Sequence, residues 1–274
     1  MTRAIPPSIP AQPGPQDEPL LRADHLVKTF GSGDRAFTAV DDVSLSVAPG
    51  EILGIVGESG SGKSTTAKMI LGLLTPDSGT ITFEGADLAT QSKKQIRRLR
   101  ARLQVVPQNP QTSLNPRMTI ASSMAFNMRA HGIAADERGR RVHDLLERVG
   151  LTAAHASRYP HEMSGGQLQR VAIARALSTD PRLVICDEAV SALDKSVQAQ
   201  VLNLLADLQR DTGVAFVFIS HDLAVVEHIS DTVVVLYRGQ VVESGVASEV
   251  WRNPQHEYTA ALLAATPGRT LFAA

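Results

Sequence analysis

Three short runs of the chain are almost entirely apolar: Leu183–Cys186, Val214–Ser220 and Thr232–Tyr237. Runs of this length, with no polar alternation, predict strands buried on both faces of a parallel sheet. Ile52-Leu53-Gly54-Ile55-Val56 is a similar run near the N-terminal end. From Leu20 to about Phe83 the pattern differs, with short β-type runs alternating with turns. Val43-Ser44-Leu45-Ser46-Val47 alternates strictly, which predicts a strand with one face in a core, and Pro49-Gly50 turns the chain into Ile52. Gly79–Phe83 predicts another short strand, closed by Glu84-Gly85. Residues 90–160 become helical and charged. Val142, Leu145, Leu146 and Val149 fall at helical spacing before a stop at Gly150. Val197, Val201, Leu204, Leu205 and Leu208 mark a second amphipathic helix. No internal repeat is visible.

Composition narrows the function classes. The chain has 274 residues, 43% of them hydrophobic, and a formal net charge of −1. That suffices for one large core with an attached subdomain. The near-neutral balance argues against a general nucleic-acid binder. Lys93, Lys94, Arg97, Arg98, Arg100 and Arg102 form a local basic run with Ile96, Leu99 and Leu103 on one stripe, which reads as a solvated helix face, with a juxtamembrane face near anionic headgroups as the alternative. No apolar run approaches the ~18 residues of a membrane span. The first 18 residues are Pro-rich and polar, without the apolar core of a secretory signal, and are expected to form a disordered tail. The one cysteine, Cys186, lies within an apolar run, as a small buried hydrophobe would in a reducing compartment. These features point to work in the cytosol.

Residues 57–64 read Gly-Glu-Ser-Gly-Ser-Gly-Lys-Ser, between the run ending at Val56 and a helix-compatible segment from Thr65. Strand, glycine-rich loop and helix in this order make a phosphate-binding loop. The glycines allow successive backbone N–H groups to face an anion, and the new helix adds its positive end. Lys63 brings a full charge to the β- and γ-phosphates, and Ser64 can place a hydroxyl on Mg²⁺. Downstream, an apolar run ends in Asp187-Glu188. Beside a phosphate loop, Asp187 suits Mg²⁺, and Glu188 could activate a water against the γ-phosphate.

With Ser164-Gly165-Gly166-Gln167, these residues resemble the ATP-binding cassette (ABC) family, over roughly residues 20–265. The resemblance extends through Gln108, through Ser191-Ala192-Leu193-Asp194 and to His221 after Val214–Ser220. It implies an α/β phosphate-loop cassette with a parallel-sheet core, an antiparallel β subdomain and a helical subdomain. The implied ATPase domain covers residues 19–265, with its helical part at about 90–162 and a tail at 266–274. The resemblance assigns catalysis to Lys63, Gln108, Glu188 and His221. ATP would be held by Phe30, stacked on adenine, and by Gly57, Ser59, Gly60, Ser61, Gly62, Lys63, Ser64 and Thr65. From a partner cassette would come Ser164, Gly165, Gly166, Gln167 and Asp194. Mg²⁺ would be held by Ser64, Gln108 and Asp187.

Three further stretches resemble ATPase subunits of bacterial peptide and nickel importers: Val105–Thr119, Arg158–Glu162 and Asn253–Leu263. They imply an ATP-hydrolysing subunit for di- or oligopeptide import, with nickel, metallophore or glutathione import as the alternative. A soluble, non-transport ABC ATPase is the remaining reading. Ala189, where proline is frequent in the peptide group, weakens peptides against metals. The implied partners are two transmembrane permease subunits, a second ATPase subunit (a paralogue or the chain itself) and an extracytoplasmic substrate-binding protein. Nucleic acid is not among them. The implied location is the cytoplasmic face of the inner membrane, as a peripheral protein.

Overall fold

The computed structural model describes residues 18–265, so the two tails expected at 1–18 and 266–274 lie outside the described residues apart from Glu18. Within this range the chain forms two sheets. The smaller is antiparallel, in the order β2-β1-β4-β5, from β1 (Leu21–Phe30), β2 (Phe37–Val47), β4 (Ser78–Phe83) and β5 (Ala86–Asp87). The larger has the order β10-β9-β3-β8-β7-β6, from β3 (Ile52–Val56), β6 (Leu103–Val106), β7 (Leu183–Asp187), β8 (Ala215–Ser220), β9 (Thr232–Tyr237) and β10 (Gln240–Val246). Every pairing from β9 through β6 is parallel, and only β10 runs against its neighbour.

The near-continuous apolar runs have a simple cause. Successive side chains of a strand face opposite sides of the sheet, and both sides are buried here. In β8, Phe216 and Phe218 enter one core while Ala215, Val217 and Ile219 enter the other; β3, β7 and β9 divide the same way. The second core is closed by the antiparallel sheet and by α1 (Lys63–Ile70), through Ala67, Met69 and Ile70. The first core is closed by helices: α4 (Ile120–Ala130), α5 (Ala135–Arg148), α6 (Gly165–Leu177), α7 (Lys195–Thr212), α8 (Leu223–Ile229), α9 (Ala247–Arg252) and α10 (Glu257–Ala264). The short α3 (Pro110–Ser113) is tied to α6, where the Arg175 guanidinium donates to the Ser113 carbonyl at 2.7 Å. The remaining helix is the basic one, α2 (Lys93–Arg102). No described helix is long and apolar enough to cross a membrane.

The α/β architecture agrees with the sequence reading, including both amphipathic helices, found as α5 and α7. One element differs. The stretch expected to be helical from residue 90 to 160 is interrupted by β6, which pairs Leu103 with Leu183 and Val106 with Cys186. Only four residues long, β6 follows α2 without a glycine or proline between them, so no local signal separates them. Leu103, expected on the α2 stripe, is instead a strand residue, buried in the same core that Leu99 packs against.

Gly54, in the central strand β3, has an ordinary backbone but no room. A Cβ there would lie 2.3 Å from Val226 Cγ1 and 2.6 Å from Ser230 Oγ, on and just after α8. Gly54→Ala is expected to destabilise the chain by about 1–3 kcal/mol through overpacking. It should lower the urea midpoint at unchanged m-value, against the usual gain from replacing a strand glycine.

Candidate functional site

Four neighbouring parallel strands end at one edge of the large sheet. β3 opens into residues 57–62, β8 into His221, β7 into Glu188 and β6 into Pro107-Gln108. Cross-strand pairs fix the alignment: Val56 lies opposite Ser220, Asp187 opposite Ile219 and Val106 opposite Cys186. In open α/β sheets, ligands bind beyond the carboxyl ends of the strands. Residues far apart in sequence are therefore delivered to one place.

The loop after β3 is tightly backed. Gly57 has φ +150°, and a Cβ on it would lie 2.1 Å from the Leu236 carbonyl oxygen, so only glycine fits there. The Gly239 N–H donates to the Ser61 carbonyl at 3.1 Å, tying the loop to the β9–β10 turn. Ser61 itself is buried. The Lys63 ammonium donates to the carbonyls of Gly57 and Glu58, each at 2.7 Å. Desolvation lowers the Lys63 pKa, opposed by the nearby Glu188, Asp187 and Glu58 charges. The ammonium is thus held inside the loop by carbonyl dipoles and facing carboxylates.

Ser64 Oγ donates to Asp187 Oδ1 at 3.2 Å, which brings together a hydroxyl from the first turn of α1 and a carboxylate at the end of β7. This oxygen pair suits a hard divalent cation. Burial raises the Asp187 pKa, and the Glu188 charge raises it further against the lowering effect of the Ser64 hydrogen bond. Glu188 stands at φ +49°, a left-handed conformation that costs a non-glycine residue on the order of 1 kcal/mol. It is held there by its N–H, which donates to the Ile219 carbonyl at 3.0 Å. Gln108 Nε2 donates to Glu188 Oε2 at 2.6 Å, and His221 Nδ1 lies 3.4 Å from Glu188 Oε1.

A cleft of about 250 Å³, open to solvent, is lined by Phe30, Ser59, Gly60, Gly62, Lys63, Ser64, Thr65 and Glu188, together with Phe37 and Ala39. The sequence reading missed Phe37 and Ala39. Phe37 pairs with Phe30 across the β1–β2 hairpin, and both rings are exposed, at 60% and 44%. A second aromatic after the Gly-Ser-Gly turn was the available signal. The residues expected to serve a partner cassette do not line this cleft. Ser164 caps α6, its Oγ accepting the Gln167 N–H, while the Gln167 side chain accepts the Ser164 N–H. Gly165 faces Leu193, and Gly166 is so close to α7 that a Cβ would lie 2.6 Å from Val197 Cγ1. Asp194 caps α7 through the Val197 N–H at 2.9 Å, and that hydrogen bond is the main cause of its lowered pKa.

A phosphate loop on a parallel sheet, with two acidic residues at the end of the next strand but one, defines a nucleotide-binding α/β protein, and with Ser164-Gly165-Gly166-Gln167 one of the ATP-binding cassette class. A family profile described as ABC transporter matches residues 40–191, and the chain belongs to that family. Two proteins named Glutathione import ATP-binding protein GsiA, from Escherichia coli (strain K12) and Shigella flexneri, are each 51% identical to it over 258 residues. Those alignments cover 91% of this chain and 41% of each relative, so the chain spans about two-fifths of their length. Among solved structures, the post-hydrolysis dimer of the ATP-binding cassette MJ0796 bound to ADP and Pi matches with a TM-score of 0.74 and 28% identity. It covers 83% of this chain and 98% of that one. CbiO1 from Clostridium perfringens, part of the ABC transporter complex cbiONQ, matches with a TM-score of 0.78 and 29% identity, covering 86% and 91% of the two chains.

Folding favours the protonated form of Asp187, so the ionised form present at neutral pH costs stability. Asp187→Asn is therefore expected to raise the Tm of the nucleotide-free chain by roughly 2–4 °C. The rise is modest because the half-buried carboxylate is partly screened by water. It should shrink as pH falls into the carboxylate range, where Asp187 becomes protonated in the folded state first. Thermal melts of the two proteins across pH 4–8 check both statements.

Proposed function

We propose that this chain is the ATP-hydrolysing subunit of a membrane importer for small peptides. The observation that carries the reading is the convergence of the phosphate loop, Asp187-Glu188, Gln108 and His221 on one sheet edge. Phe30 stacks the adenine, and the backbone N–H groups of residues 59–65 with Lys63 hold the phosphates. Ser64, Asp187 and Gln108 would hold Mg²⁺, which would supply positive charge against the phosphates. Glu188 accepts a proton from the attacking water as its oxygen bonds to the γ-phosphorus and the bond to the ADP oxygen breaks. His221, beside the same carboxylate, orients that water and the γ-phosphate.

One chain supplies half of each site in this reading. Ser164, Gly165, Gly166, Gln167 and Asp194 cover the γ-phosphate bound by a second cassette, either another copy or a paralogue. The position of Ser164 at the N-terminus of the 13-residue helix α6, away from the chain's own cleft, supports this. The ATPase domain is residues 19–265, and its helical part, about 90–162, faces two permease subunits at the cytoplasmic side of the membrane. An extracytoplasmic binding protein delivers cargo to that permease. The names of the similar GsiA proteins favour glutathione, itself a tripeptide, within the peptide class.

Glu188→Gln is expected to retain ATP binding and to lose about 10²–10⁴-fold in turnover, the range of a catalytic base. Near-normal turnover would remove Glu188 from this role. The same variant with ATP and Mg²⁺ should accumulate a dimer by light scattering when the chain pairs with itself. Ser164→Arg, which places a bulky cation over the partner's phosphate site, should abolish that dimer. A dimer indifferent to both ATP and Ser164→Arg would contradict the shared site.

A further inference from the structure

The stretch Asn253–Leu263, singled out by the sequence but without a place in the cleft, reaches the phosphate loop in the fold. The Glu243 carboxylate of β10 accepts the N–H groups of Gln255 and His256 at 2.8 and 3.1 Å. His256 Nδ1 then accepts the Tyr258 N–H at 3.1 Å and starts α10. Within α10, Thr259 and Leu263 are buried. The Tyr258 ring packs on Tyr237, centroids 4.1 Å apart, and Arg238 sits over the other ring of this pair at 5.0 Å. With its ring fixed, Tyr258 places its hydroxyl oxygen 3.0 Å from the backbone nitrogen of Glu58 and accepts that N–H.

That N–H belongs to the peptide unit whose carbonyl, on Gly57, accepts the Lys63 ammonium at 2.7 Å. A peptide unit is planar, so fixing its N–H also fixes its C=O. The preceding residue is a glycine at φ +150°, which does little on its own to resist rotation of that unit. We infer that Tyr258 is a positioning residue for nucleotide binding: its hydroxyl oxygen holds the Gly57–Glu58 peptide so that the Gly57 carbonyl aims Lys63 at the phosphates. The inference rests on the cleft being an ATP site. It makes the C-terminal segment part of the nucleotide site through the backbone rather than through contact with the ligand.

Tyr258→Phe keeps the ring on Tyr237 and removes only the acceptor. In the full chain it should raise the Kd and KM for ATP about two- to ten-fold, the equivalent of one hydrogen bond, with kcat within about twofold. In a Lys63→Ala background the same change should have no further effect on Kd. Glu58→Pro, which deletes the donor, should weaken binding similarly, and the double variant no more than either single one. Loss of folded protein alone would lower Tm and apparent kcat at constant KM. That result, an unchanged Kd in Tyr258→Phe, or an equal loss in the Lys63→Ala background would overturn the inference. Absence of saturable ATP binding by the unaltered chain would instead defeat the ATP reading of the cleft.

Discussion

The parallel pairing of β3, β8, β7 and β6 is the constraint on which the rest of this molecule depends. Both faces of that sheet are apolar and covered, so a polar side chain can leave it only at a strand end. Parallel order sends all four carboxyl ends to the same edge. The phosphate loop, Asp187-Glu188, His221 and Gln108 are neighbours for that reason, although they come from widely separated parts of the chain. A shift of one residue between β7 and β8 would turn Asp187 to the opposite face of the sheet. The fold therefore stabilises the site through apolar pairs such as Cys186 and Phe218, which carry none of its chemistry.

At that edge the local rules are relaxed. Glu188 accepts a left-handed backbone, Asp187 a partly desolvated carboxylate, and Lys63 a buried ammonium satisfied by its own loop. Each costs stability, and each is held by surroundings that are otherwise regular. The pairings found here, Lys63 with loop carbonyls, Ser64 with Asp187 and Gln108 with Glu188, satisfy groups assigned above to phosphate, metal and water. The polar groups are thus already gathered at one edge of the sheet.

Legibility followed sequence distance. The phosphate loop was readable because strand, loop and helix are contiguous. The buried strands were readable because short, unbroken apolar runs suit a sheet covered on both faces and little else. Three features were not. β6 carries no period in four residues, so the strand that delivers Gln108 was absorbed into a helical stretch. Phe37 becomes a cleft residue only through its pairing with Phe30. Tyr258 meets Glu58 across 200 residues, through a ring orientation set by Glu243, His256 and Tyr237, and no local pattern encodes that meeting.

Cys186 lies wholly buried on the helix-covered face of β7, and burial pushes its thiol far above the ordinary range. To thiol reagents acting on the folded protein, the chain behaves as though it contained no cysteine. A cysteine introduced on the exposed surface, near Ser164 or at the rim of the cleft, would take up a label alone. The hydrophobic packing of one central strand thus leaves an optically clean background, on which the approach of two cassettes could be followed by fluorescence without first altering the native sequence elsewhere.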